Sequence, residues 1–234
     1  IPAFAAVTPS VTAGAHDSAH ATTTAVQIGL PVHVIGFVAS TSGAVATGTV
    51  DFVVYTTSTS CVGTSTTQSG VALVNGTTES SATLMPSTGL SFRVHYNGND
   101  DYLAADSSCV AVNPVKLVPT MTSDIKNTAN TIVSSVVATT TVRDIASLSG
   151  TQGQPTGTVD FTFYSDLACT LAPLASGSGI ALVNGIATST DQTPAPGLYS
   201  FKARYNGDTI YAARDANCMP LTVTGTSTPT PTTT

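Results

Sequence analysis

Tryptophan is missing from this chain, methionine occurs three times, and charge is scarce: 7 Lys and Arg against 13 Asp and Glu, 9% of 234 residues. Each shortage excludes something. Exposed helix faces are normally filled with Glu, Lys and Arg, so a chain this poor in charge is not built on surface helices. The few basic residues are dispersed and the net charge is −6, which leaves no basic stripe for nucleic acid. No apolar run reaches the roughly 20 residues of a membrane span. The start, Ile1-Pro2-Ala3-Phe4-Ala5-Ala6, has neither an initiator Met nor a basic n-region, so the chain reads as processed or excerpted. No Cys has a Cys or His partner at C-x-x-C-like spacing, which argues against a thiolate metal site. There is no Gly-x-Ser-x-Gly elbow and no recurring acid–base–nucleophile set, so neither catalysis nor a cofactor is expected.

Threonine is abundant, at 42 residues. With Ser, Val and Gly it favours strands and turns. The dominant pattern is a repeat. Gly48-Thr49-Val50-Asp51-Phe52 returns letter for letter as Gly157-Thr158-Val159-Asp160-Phe161, 109 positions later. Gly70-Val71-Ala72-Leu73-Val74-Asn75-Gly76 returns as Gly179-Ile180-Ala181-Leu182-Val183-Asn184-Gly185. Cys61 and Cys109 answer to Cys169 and Cys218. Val7-Thr8-Pro9 lines up with Leu117-Val118-Pro119. The expected layout is an N-terminal arm, or the end of a preceding repeat, over 1–5; units over 6–116 and 117–225; and a Thr/Pro-rich tail over 226–234. Units of about 110 residues are long enough to bury separate cores.

Within each unit, alternation marks half-buried strands. Val50, Phe52 and Val54 share one face, with Asp51, Val53 and Tyr55 on the other; Val159, Phe161 and Phe163 repeat the inner set. A one-residue slip would drive Asp51 into the core, so the register is well specified. Val32–Val38 reads as a further strand, matched by Val142–Leu148. Gly70–Asn75 reads as a strand, and Asn75-Gly76 and Asn184-Gly185 as type I′ hairpin turns. The returning strands are expected over Thr77–Leu84 and Gly185–Thr190. Phe92, Val94 and Tyr96 alternate with Arg93 and His95, as Phe201, Ala203 and Tyr205 do with Lys202 and Arg204. About seven short strands with turns every ten residues or so indicate an all-β, antiparallel sandwich.

The ordered set Gly-Thr-Val-Asp-Phe, Val-Asn-Gly and Tyr205-Asn206-Gly207-Asp208-Thr209-Ile210-Tyr211-Ala212-Ala213 resembles the Ig-like repeats of bacterial and archaeal surface proteins. The first copy of the last motif, Tyr96-Asn97-Gly98-Asn99-Asp100-Asp101-Tyr102, departs at Asn99, where the family usually has Asp. The resemblance implies two tandem Ig-like β-sandwich domains acting as spacers or adhesive modules, not as catalysts. Without Trp, they would differ from antibody domains. Four Cys allow three pairings. Matched positions and separations of 48 and 49 favour Cys61–Cys109 and Cys169–Cys218, one disulfide in each domain, and hence an extracellular setting.

Several residues are candidates for something more. Asn75-Gly76-Thr77 is an N-glycosylation sequon at a turn tip. Asn99, Asp100 and Asp101 cluster oxygens of the kind calcium takes. His16 and His20 are four apart, but the segment has no helical periodicity to pair them, and no metal site is expected. Lys116, Lys126 and Lys202 are candidates for an isopeptide crosslink. Tyr55, Tyr102, Tyr164, Tyr199 and Tyr211 are candidates for a binding patch. The apolar start, with Ile1, Pro2, Ala3, Phe4, Val7 and Val11, is a candidate assembly arm that adds as a strand to a neighbouring copy. The expected function is a structural subunit of an extracellular filament, pilus-like fibre or surface layer, with copies of itself as partners. The alternatives are an adhesin stalk that binds glycans or a host surface, and accessory domains of a secreted enzyme.

Overall fold

The computed structural model describes residues 6–40 and 45–226; the expectations for Ile1, Pro2, Ala3 and Phe4 and for the tail beyond Thr226 lie outside the described residues. The chain divides into two compact units, Ile1–Lys116 and Leu117–Thr234. Among the described residues there are strands and no helix, and so none long and apolar enough to cross a membrane.

The first unit contains β1 (Ser10–His16), β2 (Ala25–Gln27), β3 (Pro31–Ala39), β4 (Thr49–Tyr55), β5 (Ser65–Ala72), β6 (Thr77–Glu79), β7 (Thr83–Leu84), β8 (Leu90–Tyr96), β9 (Ala105–Asp106) and β10 (Val110–Val115). One sheet runs β1-β3-β6, with β7 also on β3; the other runs β2-β10-β8-β4-β5, with β9 on β8. The second unit contains β11 (Thr120–Asn127), β12 (Ser135–Val137), β13 (Val142–Ser149), β14 (Thr158–Tyr164), β15 (Pro173–Ala181), β16 (Ile186–Thr188), β17 (Gly197–Tyr205), β18 (Arg214–Asp215) and β19 (Met219–Thr224). Its sheets run β11-β13-β16 and β12-β19-β17-β14-β15, with β18 on β17. Each unit is an Ig-like β-sandwich with one disulfide. One strand pairing in each departs from the antiparallel expectation. β2 and β12 run parallel to β10 and β19, because the segment between the first two long strands crosses to the opposite sheet and covers its edge.

The repeated motif is built as its alternation requires. Val50, Phe52 and Val54 are buried, as are Val159, Phe161 and Phe163. They pack in the first unit with Val32, Val34, Leu90, Phe92 and Val94. The outward Asp has its own work. Asp51 Oδ1 accepts the Gly70 N–H at 2.8 Å and Asp160 Oδ1 accepts the Gly179 N–H at 2.7 Å. Each bond holds a bulge, where the pairing shifts between Val50 and Phe52 and between Val159 and Phe161. Asn97 Nδ2 and Asn206 Nδ2 each donate to the motif's threonine, Thr49 or Thr158, at 3.0 Å. The identical letters are therefore scaffold.

Two strand expectations are corrected. β5 begins at Ser65 and ends at Ala72, so Gly70 lies within it at the bulge rather than at the start of a strand. A Ser/Thr stretch that is exposed on both faces carries no alternation to reveal it. Asn75 and Gly76 do take positive φ, 53° and 75°, and Val74 and Thr77 exchange both backbone bonds around them. The strand that follows, however, pairs with β3 in the other sheet rather than returning along β5, and it is broken into β6 and β7. The turn fixes a local reversal, and a two-sheet fold then sends the chain across.

The disulfides are Cys61–Cys109 and Cys169–Cys218. Cys61 follows β4 and Cys109 precedes β10, the two neighbours of β8, so the bond clamps one end of a single sheet. In antibody domains the corresponding bond crosses between sheets. Cys61 and Cys169 both sit at positive φ, 54° and 55°, and the Cys61 N–H is held by Ser91 Oγ at 2.8 Å.

Candidate metal centre

Three of the four histidines of the chain lie together at one end of the β1–β3 pair. Antiparallel register sets His16 of β1 opposite His33 of β3, and Ile35, two residues on, opposite Glu79 of β6. His20 is brought in by the turn after β1. Asp17 Oδ1 accepts the N–H groups of Ala19 and Ala21, the His20 N–H reaches Asp17 O, and His20 takes a φ of 58°. His is among the residues that tolerate this left-handed conformation.

His33 Nε2 lies 3.2 Å from His20 Nδ1 and 3.4 Å from Glu79 Oε1, and His20 Nδ1 lies 4.0 Å from Glu79 Oε1. Among the described residues, this is the one set of three or more His, Cys, Asp or Glu side chains whose ligand atoms converge. The His16 ring stacks on His33 at 5.7 Å, and its Nδ1 is engaged with the His20 carbonyl at 2.9 Å. His33 is buried, whereas the His20 and Glu79 side chains are 62% and 48% exposed, so the cluster has a dry floor and an open mouth. Burial holds the His33 imidazole below its usual pKa; Glu79 opposes that shift and His20 and His16 reinforce it. At neutral pH His33 is therefore an uncharged nitrogen donor.

The second unit keeps the scaffold of this corner but not its ligands. Asn127 Oδ1 accepts the N–H groups of Ala129 and Thr131, and Asn130 has a φ of 59°. Register puts Lys126, Arg143 and Thr188 where the first unit has His16, His33 and Glu79, and Asn130 replaces His20. Arg143 pairs there with Asp191 at 3.0 Å.

The other candidates fall elsewhere. Asn99 is spent on its own turn: its Oδ1 accepts the N–H groups of Asp101 and Tyr102, and its Nδ2 donates to Thr47 O. Asp208 builds the same turn in the second unit, accepting from Ile210 and Tyr211 through Oδ1 and from Thr156 through Oδ2. Burial pushes its carboxyl up, but these donors outweigh burial and hold it at about 2. Asp100 and Asp101 are exposed beside the first turn. Asn75 is exposed at its turn tip. Tyr102 and Tyr211 are buried, with hydroxyls bonded to Ser40 and to Gly153 O; Tyr55, Tyr164 and Tyr199 are half-buried. The tyrosines thus form no exposed aromatic patch. Lys202 pairs with Asp215 at 3.8 Å, Lys126 is half-buried on β11, and Lys116 is exposed. Val7 bridges Tyr102, and Val11 is a buried residue of β1 opposite Val38. Val7 and Val11 belong to the first sandwich, not to a free arm.

Sequence reasoning missed His33 and Glu79, and with them the cluster. The available signal was the repeat itself, since all four positions change chemistry between copies.

No family model matches the chain, and no curated protein matches it. Among solved structures it is similar to the fibronectin(III)-like modules of Clostridium thermocellum CbhA, with 12% identity and a TM-score of 0.28 over 90% of this chain and 94% of that one. It is also similar to the three N-terminal domains of the bacteriophage RB49 Highly Immunogenic Outer Capsid protein (Hoc), with 11% identity and a TM-score of 0.29 over 94% of this chain and 59% of that one. The Ig-like assignment rests on the strand order and register given above.

Proposed function

We propose that the chain is a structural subunit of an extracellular assembly on a prokaryotic cell surface, a filament or surface layer in which copies join by strand addition. One observation carries this reading. What the two copies share at matched positions is scaffold: the bulge-holding Asp51 and Asp160, the threonine–asparagine bonds, the core aromatics and the disulfide clamp. Duplication that preserves a tied sandwich and lets the rest drift suits a load-bearing spacer. Two disulfides fit an oxidising compartment.

The strand edges support the joining mode. β5 and β15 each form a sheet edge, and neither Ser65–Ala72 nor Pro173–Ala181 contains a charged residue. Exposed edges are normally blunted by charge, proline or a bulge; these two lack the charge, and between the bulge near Gly70 or Gly179 and the strand's start an uncharged run is left where a further strand can add. The donor on this reading is the apolar start before Val7. Removing residues 1–5 should abolish self-association while both units unfold at unchanged temperature, as followed by sedimentation velocity and calorimetry. Unimpaired association of the shortened chain would remove the arm from the account. Deletion through Val11 is not a fair test, because it takes a core residue with it.

A further inference from the structure

We propose that His20, His33 and Glu79 form a binding site in the first unit for a divalent transition cation of the zinc class, with two imidazole nitrogens and one carboxylate oxygen as ligands. This inference stands independently of the assembly reading.

The first support is geometric. Tetrahedral zinc with bonds of about 2.0–2.1 Å places its ligand atoms about 3.3–3.4 Å apart. The three separations in the cluster are 3.2, 3.4 and 4.0 Å, so two already match and the third closes with a small rotation of an exposed side chain. The donor set also has the right chemistry. Two imidazoles and a carboxylate suit zinc, copper or nickel, whereas calcium and magnesium prefer oxygen alone.

The second support is the comparison between copies. The turn that presents His20 is rebuilt in the second unit with Asn127 and Asn130, so it does not need a histidine. The β1–β3 corner is likewise rebuilt with Lys126 and Arg143. A sandwich of this kind folds without any of the four residues. Their convergence in one copy, in a chain with only four histidines, is therefore not dictated by the fold that the two copies share.

The parts have distinct roles. His33 is the anchor, fixed by β3 and by the His16 ring stacked on it. His16 is a positioning residue: its ring stacks on His33 and its Nδ1 bonds the His20 carbonyl, and it is not among the three side chains whose ligand atoms converge. That bond also ties the turn carrying His20 to β1. Three protein ligands leave a fourth position at the open mouth for water or for a side chain of another molecule.

The test is titration of the intact chain with zinc chloride, read by calorimetry and by thermal unfolding. The expected result is one ion per chain and a raised melting temperature for one of the two units. Calcium chloride and magnesium chloride should do neither. His20→Asn and Glu79→Thr install the residues that the second unit carries at the same places, so the fold is retained. Each should weaken zinc binding by about 10-fold or more, since even residues that only support a ligand cost that much. His95→Gln, which alters the separate His95–Asp106 pair, should leave binding unchanged. No zinc binding at millimolar concentration would overturn the proposal. Binding that survives both variants intact, or binding matched by calcium, would overturn it equally.

Discussion

Replacing Cys169 and Cys218 together by alanine should lower the stability of the second unit by about 4 kcal/mol, the largest effect expected of any change considered for this chain. The bond closes a loop of 49 residues and joins the two strands that flank β17, so its loss releases entropy in the unfolded chain without removing a core side chain. For a unit of about 110 residues this corresponds to a fall in melting temperature of roughly 15–20 °C. The Cys61–Cys109 pair should behave alike in the first unit, whose loop is 48 residues. Calorimetry of each double variant checks this: one transition should move and the other stay. A shift below about 1 kcal/mol would mean that the clamp constrains little in the unfolded chain.

The second large effect concerns acid. Asp144 is fully buried on β13, at the register position held by Val34 in the first unit. Ser123 Oγ donates to its carboxylate at 2.7 Å, and Ser189 Oγ accepts its backbone N–H at 2.9 Å. Burial pushes the Asp144 carboxyl up to about 6, against the opposing hydrogen bonds of Ser123 and the Ile145 backbone. The folded unit therefore holds this proton more tightly than the unfolded chain does. Between about pH 4 and 6 the folded state binds more protons, so this group lets stability fall as pH rises, by about 3 kcal/mol in all. Below pH 4 the opposite slope takes over, because Asp208, held at about 2, loses its donors' support as it protonates. Chemical denaturation of the second unit from pH 3 to 8 should thus show a maximum near pH 4. The double variant Ser123→Ala/Asp144→Val, which installs the Ala13 and Val34 of the first unit, should remove the fall between pH 4 and 6. A profile that rises through that window in the unaltered chain would contradict the placement of Asp144.

What could be read in advance was whatever was local or written twice. The alternation of Val50, Phe52 and Val54 named both the strand and its buried face, because a period of two survives any tertiary arrangement. Matched Cys positions chose one disulfide pattern out of three. Asn75-Gly76 announced its turn, because few residue pairs accept two consecutive positive φ angles. It could not announce that β6 would join β3, since that choice belongs to the closing of two sheets. β5 was misplaced for a different reason: Ser65, Thr66 and Thr67 have no inner face to betray a strand.

The cluster was hidden by distance. His16 and His20 were visible as neighbours four apart, but no helical periodicity pointed to their pairing; it is the turn at Asp17, not a helix, that folds His20 back onto β1. His33 joins through the register of β1 with β3, and Glu79 through that of β3 with β6. Neither partner is local. Asn99 shows the reverse case. The motif changes there from Asp to Asn, yet Asn99 and Asp208 build the same turn: both accept two N–H groups through Oδ1, and only their second arms differ, one donating and one accepting.

The central claim is that these two sandwiches are links in an assembly and that their repeated residues exist to hold a shape. The most direct test is negative-stain electron microscopy of the purified intact chain. The account predicts filaments or a lattice, with both lost when residues 1–5 are removed. Monodisperse single particles from the intact chain, at every concentration examined, would contradict it.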